Sequence, residues 1–229
     1  MKEKILEKIK GGLVVSCQAL ETEPLYSSYI MGRMAYAAME GGAVGIRANT
    51  PQDIAEIRKT VDLPVIGLYK VVTEGSDVYI TPTMAEVDAL MEAGPEIIAM
   101  DATDRVRANG MTIREFFPQV REKYPDMLFM ADCSTYEDAL RAQELGFDLA
   151  GTTLCGYTEE TAGTEIPCYE LLRKMSGNLS IPVIAEGGIW ERAQLQQAFA
   201  CGIHAAVVGT AITRPRDITR RFVDAIKKQ

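Results

Sequence analysis

Short apolar runs alternate with amphipathic stretches along the whole chain. The runs are Leu13–Leu20, Val44–Ala48, Pro64–Lys70, Glu96–Ala102, Met127–Ser134, Leu149–Leu154, Ile181–Gly187 and Ala205–Thr210. Each is rich in Val, Ile, Leu or Ala and bounded by Gly, Pro, Asp or Thr, which predicts strands. Their apolar character is continuous rather than alternating, as in parallel strands buried on both faces. Between them the 3.6-residue period predicts helices over Pro51–Val61, Thr83–Ala93, Ile113–Lys123, Thr135–Leu145, Pro167–Met175, Trp190–Ala200 and Pro215–Ile226. Thr83 and Thr135 stand at helix starts, Gly94 and Gly146 just past helix ends, and Pro51 in a first turn.

Eight strand candidates give a repeat of about 29 residues, the size of one βα unit. No Pro/Ser-rich linker or charge block divides the chain, so residues 1–229 are expected to form a single (β/α)8 barrel domain. An open doubly wound sheet would leave edges exposed, and no G-x-G-x-x-G follows the first strand.

Composition narrows the partners. The net charge of −8 argues against a nucleic-acid partner, which wants clustered Lys and Arg. The five cysteines are scattered without a C-x-x-C pair, so free thiols in a cytoplasmic protein are expected, with neither a metal nor a disulfide framework. The amino-terminal lysines ahead of Leu13-Val14-Val15 mimic a leader, but the apolar stretch is too short and Glu3 and Glu7 break the basic flank. No stretch approaches the ~20 apolar residues of a membrane span. No cofactor motif is present, and none is expected.

In such a barrel the chemistry sits at the carboxyl ends of the strands. The polar residues there are Gln18, Arg47, Lys70, Asp101, Asp132, Thr152, Thr153, Glu186 and Thr210. Lys70 closes an apolar run, where partial desolvation would favour a neutral amine able to act as base or nucleophile; a solvated loop lysine is the plainer reading. Glu186 reads as an acid–base group or as the partner of a neighbouring cation. Asp132 reads as a hydroxyl or cation partner, or as a helix cap. Arg47 offers fixed donors to substrate oxygens or a structural ion pair. Gln18 reads as an interior polar group with protein partners. Gly187-Gly188 after the seventh strand and Gly209-Thr210 after the eighth, followed by Arg214, match where barrels frequently hold a phosphate. His204 precedes the eighth strand, at the face opposite the chemistry, and reads as structural.

Several segments together resemble the N-acetylmannosamine-6-phosphate 2-epimerase family. They are Ser16-Cys17-Gln18-Ala19, Gly45-Ile46-Arg47-Ala48, Gly67-Leu68-Tyr69-Lys70, Asp77–Thr83, Met130–Ser134, Gly151–Thr158, Ala185–Ile189 and Val208–Pro215. The chain departs from the family after Lys70, where it reads Val71-Val72-Thr73-Glu74. The resemblance implies a cytoplasmic, cofactor-independent barrel enzyme of sialic acid and amino-sugar catabolism. It would interconvert N-acetylmannosamine 6-phosphate and N-acetylglucosamine 6-phosphate by removing and returning the proton on C2. It further implies Lys70 and Glu186 as catalytic residues and Gln18, Arg47, Asp132 and Thr153 as sugar contacts. Gly187, Gly188, Gly209, Thr210 and Arg214 would take the phosphate, in a homodimer. Two other readings are compatible with the strand-end residues alone: a Schiff-base aldolase using Lys70, and a non-catalytic phosphosugar sensor.

Overall fold

The structure, a computed structural model, describes residues 2–227. Eight strands, β1 (Leu13–Cys17), β2 (Gly45–Asn49), β3 (Val65–Leu68), β4 (Ile97–Asp101), β5 (Leu128–Asp132), β6 (Leu149–Gly151), β7 (Val183–Glu186) and β8 (Ala205–Val208), pair in parallel and in chain order, and β8 pairs with β1 to close a barrel. The expected (β/α)8 architecture is therefore the observed one. Seven of the eight strands are shorter than their apolar runs, because the run's last residues bend out of the ladder to form the barrel mouth; β2 matches its run in length, shifted one residue toward its carboxyl end.

The helices are α1 (Lys2–Ile9), α2 (Ser28–Glu40), α3 (Pro51–Thr60), α4 (Met84–Ala93), α5 (Ile113–Lys123), α6 (Tyr136–Leu145), α7 (Tyr169–Asn178), α8 (Arg192–Ala200), α9 (Thr210–Thr213) and α10 (Pro215–Lys227). Thr83 and Thr135 cap α4 and α6 with capping boxes, and left-handed Gly94 and Gly146 end those helices. The helices α1, α2 and α9 have no counterpart in the apolar pattern. α1 lies across the amino-terminal end of the barrel, with Ile9 fully buried among the interior residues Val14, Ile66 and Ala205. His204 secures it there, its Nε2 lying 2.9 Å from the Leu6 carbonyl oxygen, which is the structural place expected for that histidine.

Two apolar layers result. One lies between strands and helices and includes Ile54, Phe117 and Phe129; the other fills the barrel with Val14, Ile66, Leu68, Ile97, Met130, Leu149, Ile184 and Val207. Strand residues two apart share a face. Gln18, Lys70, Asp132, Thr153, Glu186 and Gly209 are therefore in phase with the interior residues of their own strands. The alternation that packs the barrel also turns these groups toward its mouth.

Candidate active site

A cavity of about 730 Å3 opens at the carboxyl ends of the strands. Ten of the eleven expected site residues line it: Gln18, Arg47, Lys70, Thr153, Glu186, Gly187, Gly188, Gly209, Thr210 and Arg214.

Asp132 is the exception. It is completely buried, and both carboxylate oxygens are used by protein, one accepting from Arg47 Nη2 at 2.7 Å and the other from Thr153 Oγ1 at 2.6 Å. A direct sugar contact by Asp132, as the resemblance implies, finds no free oxygen in this arrangement.

Arg47 crosses the barrel as a bar. It starts on β2, reaches Asp132 on β5, and places Nε 3.1 Å from Glu186 Oε1 on β7. Nη1 also contacts the Met130 sulfur at 3.6 Å. Burial would ease this guanidinium's proton off, but the Asp132 and Glu186 carboxylates outweigh it and raise the pKa above the usual value. A permanent cation with a fixed orientation thus forms the cavity floor.

Lys70 and Glu186 stand on β3's end and on β7, with three strands between them in either direction around the ring. They face one another across the mouth without an ion pair between them. Lys70's backbone N–H donates to Asn49 Oδ1 at 2.8 Å, and the residue bridges Ile80 in a small hairpin formed by the segment after β3. Thr81 anchors that hairpin in a left-handed conformation, φ 48°, its hydroxyl donating to the Ala99 carbonyl at 2.7 Å and accepting from Tyr69 N–H at 3.1 Å. Burial lowers the Lys70 pKa to about 8, assisted by the Arg47 and Arg214 charges and opposed by Glu186 and Asp132. Burial raises the Glu186 pKa to about 7, with Arg47 opposing and Asp132 adding. Both groups therefore change charge close to neutrality, which suits proton transfer. Thr153 Oγ1 lies 3.2 Å from Glu186 Oε2 and Arg47 Nε 3.1 Å from Oε1, so the carboxylate is held from both sides, while Thr152 Oγ1 accepts from the Glu186 backbone N–H at 3.1 Å.

Gln18 donates from Nε2 to Ser16 Oγ at 2.8 Å, and its buried Oε1 has no protein partner. An unpartnered buried acceptor on a cavity wall is costly unless a ligand supplies the donor. At the other side, Gly209 precedes α9, Thr210 opens it and Arg214 follows it, and the helix's Thr213 hydroxyl donates to the Ser16 carbonyl at 2.7 Å. Gly187 and Gly188 have φ of 107° and 71°, and a Cβ on Gly188 would lie 2.6 Å from the Ile166 carbonyl carbon. That glycine pair is required by its own backbone and by the loop packed on it, a reason separate from close approach to an anion.

Asp101, the remaining strand-end carboxylate, serves its own loop: it accepts from Thr103 N–H and hydroxyl and pairs with Arg105 at 2.6 Å. Cavity walls that strand-end reasoning missed come from the loops, namely Leu20, Tyr79, Tyr157, Ile166 and Trp190. Tyr79 and Tyr157 do lie within the segments that carry the resemblance. Among the described residues no group of three or more His, Cys, Asp and Glu is placed to hold a metal ion, and no helix is long and apolar enough to cross a membrane.

Residues 31–228 match the family model described as "Putative N-acetylmannosamine-6-phosphate epimerase". A relative described as "Putative N-acetylmannosamine-6-phosphate 2-epimerase", from Caldanaerobacter subterraneus subsp. tengcongensis, is 53% identical over 229 residues, covering 100% of this chain and 97% of the relative. One from Listeria innocua, described the same way, is 51% identical over 230 residues and covers 100% of both. The solved structure of the N-acetylmannosamine-6-phosphate 2-epimerase from Clostridium perfringens superposes with a TM-score of 0.92 at 47% identity, covering 96% of each chain. With a closed barrel and a mouth built from the motif residues, the chain belongs to the N-acetylmannosamine-6-phosphate epimerase family.

Proposed function

We propose that this protein interconverts N-acetylmannosamine 6-phosphate and N-acetylglucosamine 6-phosphate, as a cofactor-independent isomerase of amino-sugar and sialic acid catabolism. The observation that carries the reading is the pairing of Lys70 and Glu186 across one mouth, with the Arg47 cation beneath them. Inverting C2 means breaking a C–H bond beside the C1 carbonyl of the open-chain sugar. That step needs a base at C2 and a positive group where enolate charge develops.

In this reading Lys70, neutral in a useful fraction near its pKa of about 8, takes the C2 proton. Arg47, already fixed by Asp132, stabilises the charge on the C1 oxygen without reorganising. Glu186, able to hold or release a proton at neutral pH, serves the sugar oxygen whose proton moves during ring opening. The open-chain intermediate turns between the two steps, presenting the opposite face of the planar C2 to the Lys70 ammonium, which returns a proton there. Gln18 Oε1 accepts from the sugar or its N-acetyl N–H, and Thr153 orients Glu186. Asp132 acts through Arg47 and Thr153 as a positioning residue. Gly187, Gly188, Gly209, Thr210 and Arg214 receive the phosphate.

A homodimer fits α10, none of whose residues is buried: Phe222, Val223 and Ile226 are exposed along it, and a second copy of the chain would cover them. The five free cysteines, four of them buried, suit the reducing cytoplasm. Purified protein is expected to convert N-acetylmannosamine 6-phosphate to N-acetylglucosamine 6-phosphate in the absence of any added cofactor, followed by proton NMR of the anomeric signals. Saturable binding without conversion would replace the reading with that of a phosphosugar sensor.

A further inference from the structure

Glu23 lies in the segment between β1 and α2, outside the motifs that build the cavity mouth. Its side chain is only 10% exposed. One oxygen accepts the backbone N–H of Leu20 at 2.8 Å and a hydrogen from Arg214 Nη2 at 3.2 Å; the other accepts from Arg216 Nη2 at 3.2 Å. A single carboxylate thus holds two guanidinium groups that follow α9, and ties them to a loop whose Leu20 also lines the cavity. Arg216 also lies 3.5 Å from Asp217 Oδ2, so it is held by two carboxylates, while Arg214 has Glu23 alone among the described residues. Arg216 keeps Glu23 partly neutralised when Arg214 turns toward an anion.

We infer that Glu23 is a positioning residue for substrate phosphate: it holds Arg214 at the cavity wall and docks the β1–α2 loop beside it. The inference rests on the reading of Arg214 as a phosphate ligand. An arginine with several rotatable bonds loses side-chain entropy when it is fixed on a ligand, and a preformed ion pair removes part of that cost in advance. Because the phosphate is bound through ground state and transition state alike, the contribution appears in KM rather than in kcat.

The test is a mutant cycle of Glu23→Gln, Arg214→Met and the double variant. Each is assayed for kcat and KM on N-acetylmannosamine 6-phosphate and for competitive inhibition by inorganic phosphate. Arg214→Met is expected to raise KM about 100-fold, the loss of a charge-assisted pair. If it does not, the phosphate reading of Arg214 fails whatever Glu23 does. Glu23→Gln is expected to raise KM and the phosphate inhibition constant about tenfold with kcat within about twofold, and to add nothing once Arg214 is gone. A fall in KM would overturn the inference by showing that Glu23 competes with the phosphate for Arg214. An equal rise in the Arg214→Met background would overturn it by showing that Glu23 only folds its loop. Glu23→Asp keeps the charge and shortens the reach by one methylene. It is expected to shift KM about threefold in the same sense, which carries the test if the glutamine variant does not fold.

Discussion

Replacing Asp132 by Asn removes a charge from the most enclosed part of the site while keeping its shape. Asp132 is fully buried and Arg47 is 1% exposed, and their contact is 2.7 Å long. Neither group can recover its loss by hydration. Breaking a buried pair from one side typically costs ~3–5 kcal/mol because the remaining charge is uncompensated. Here Glu186 stays 3.1 Å from Arg47 Nε and offsets part of it, so a loss of about 2–4 kcal/mol is expected. In addition, an amide has one acceptor oxygen for the two donors, Arg47 Nη2 and Thr153 Oγ1, that the carboxylate now serves. Arg47 would swing toward Glu186, and kcat should fall at least ~100-fold as the fixed cation at the C1 oxygen is lost. Asp132 also raises the pKa of both Glu186 and Lys70, so its neutralisation should lower both and move the residual activity profile to lower pH. Urea unfolding monitored by circular dichroism, alongside kcat from pH 6 to 9, measures all three effects, the range reaching about one unit below the Glu186 value and one above that of Lys70. A variant with wild-type stability and a kcat within about twofold of wild type would refute the idea that Asp132 holds the site together through Arg47.

Three further outcomes follow from the geometry. The kcat/KM profile of the wild-type protein should be bell-shaped with limbs near 7 and 8, set by Glu186 and Lys70, and a flat profile across that range would exclude them as the proton-transferring pair. Gly188→Ala should destabilise the fold by about 2 kcal/mol or more in thermal unfolding, since its Cβ meets the Ile166 backbone at 2.6 Å and its φ is 71°; an unchanged midpoint would show that the β6–α7 loop yields freely. Borohydride added with substrate should leave Lys70 unmodified by mass spectrometry, because its amine moves a proton and forms no imine; a reduced adduct would support the aldolase reading.

Much of the fold was legible because parallel barrel strands are buried on both faces and announce themselves as continuous apolar runs. The candidate site was legible through parity. Lys70 continues the inward series of Ile66 and Leu68, and Asp132 that of Leu128 and Met130. Partnership was not legible. The chain distance from Arg47 to Asp132 is bridged by barrel closure and strand register, so local sequence cannot tell a sugar contact from a buried anchor. The loop residues Tyr79 and Tyr157 were hidden because they sit beyond strand ends, where no apolar period applies. α1 was obscured by its charges, which resemble those flanking a leader; its role depends on Ile9 entering the barrel and on the long-range contact of His204 with Leu6. Glu23 is one acidic residue in a polar loop, and only the fold brings two arginines from the far end of the chain to it.

The central claim is that Lys70 carries the C2 proton at a mouth open to water. Its most direct test is turnover of N-acetylmannosamine 6-phosphate in D2O, with C2 followed by proton NMR, in the wild-type protein and in Lys70→Ala. A lysine ammonium has three equivalent hydrogens that exchange with solvent, so the wild-type product should carry mainly deuterium at C2. Lys70→Ala should remain folded and form neither product nor deuterated substrate. Complete retention of the C2 proton in the wild-type product, or wild-type-like turnover by Lys70→Ala, would contradict the account.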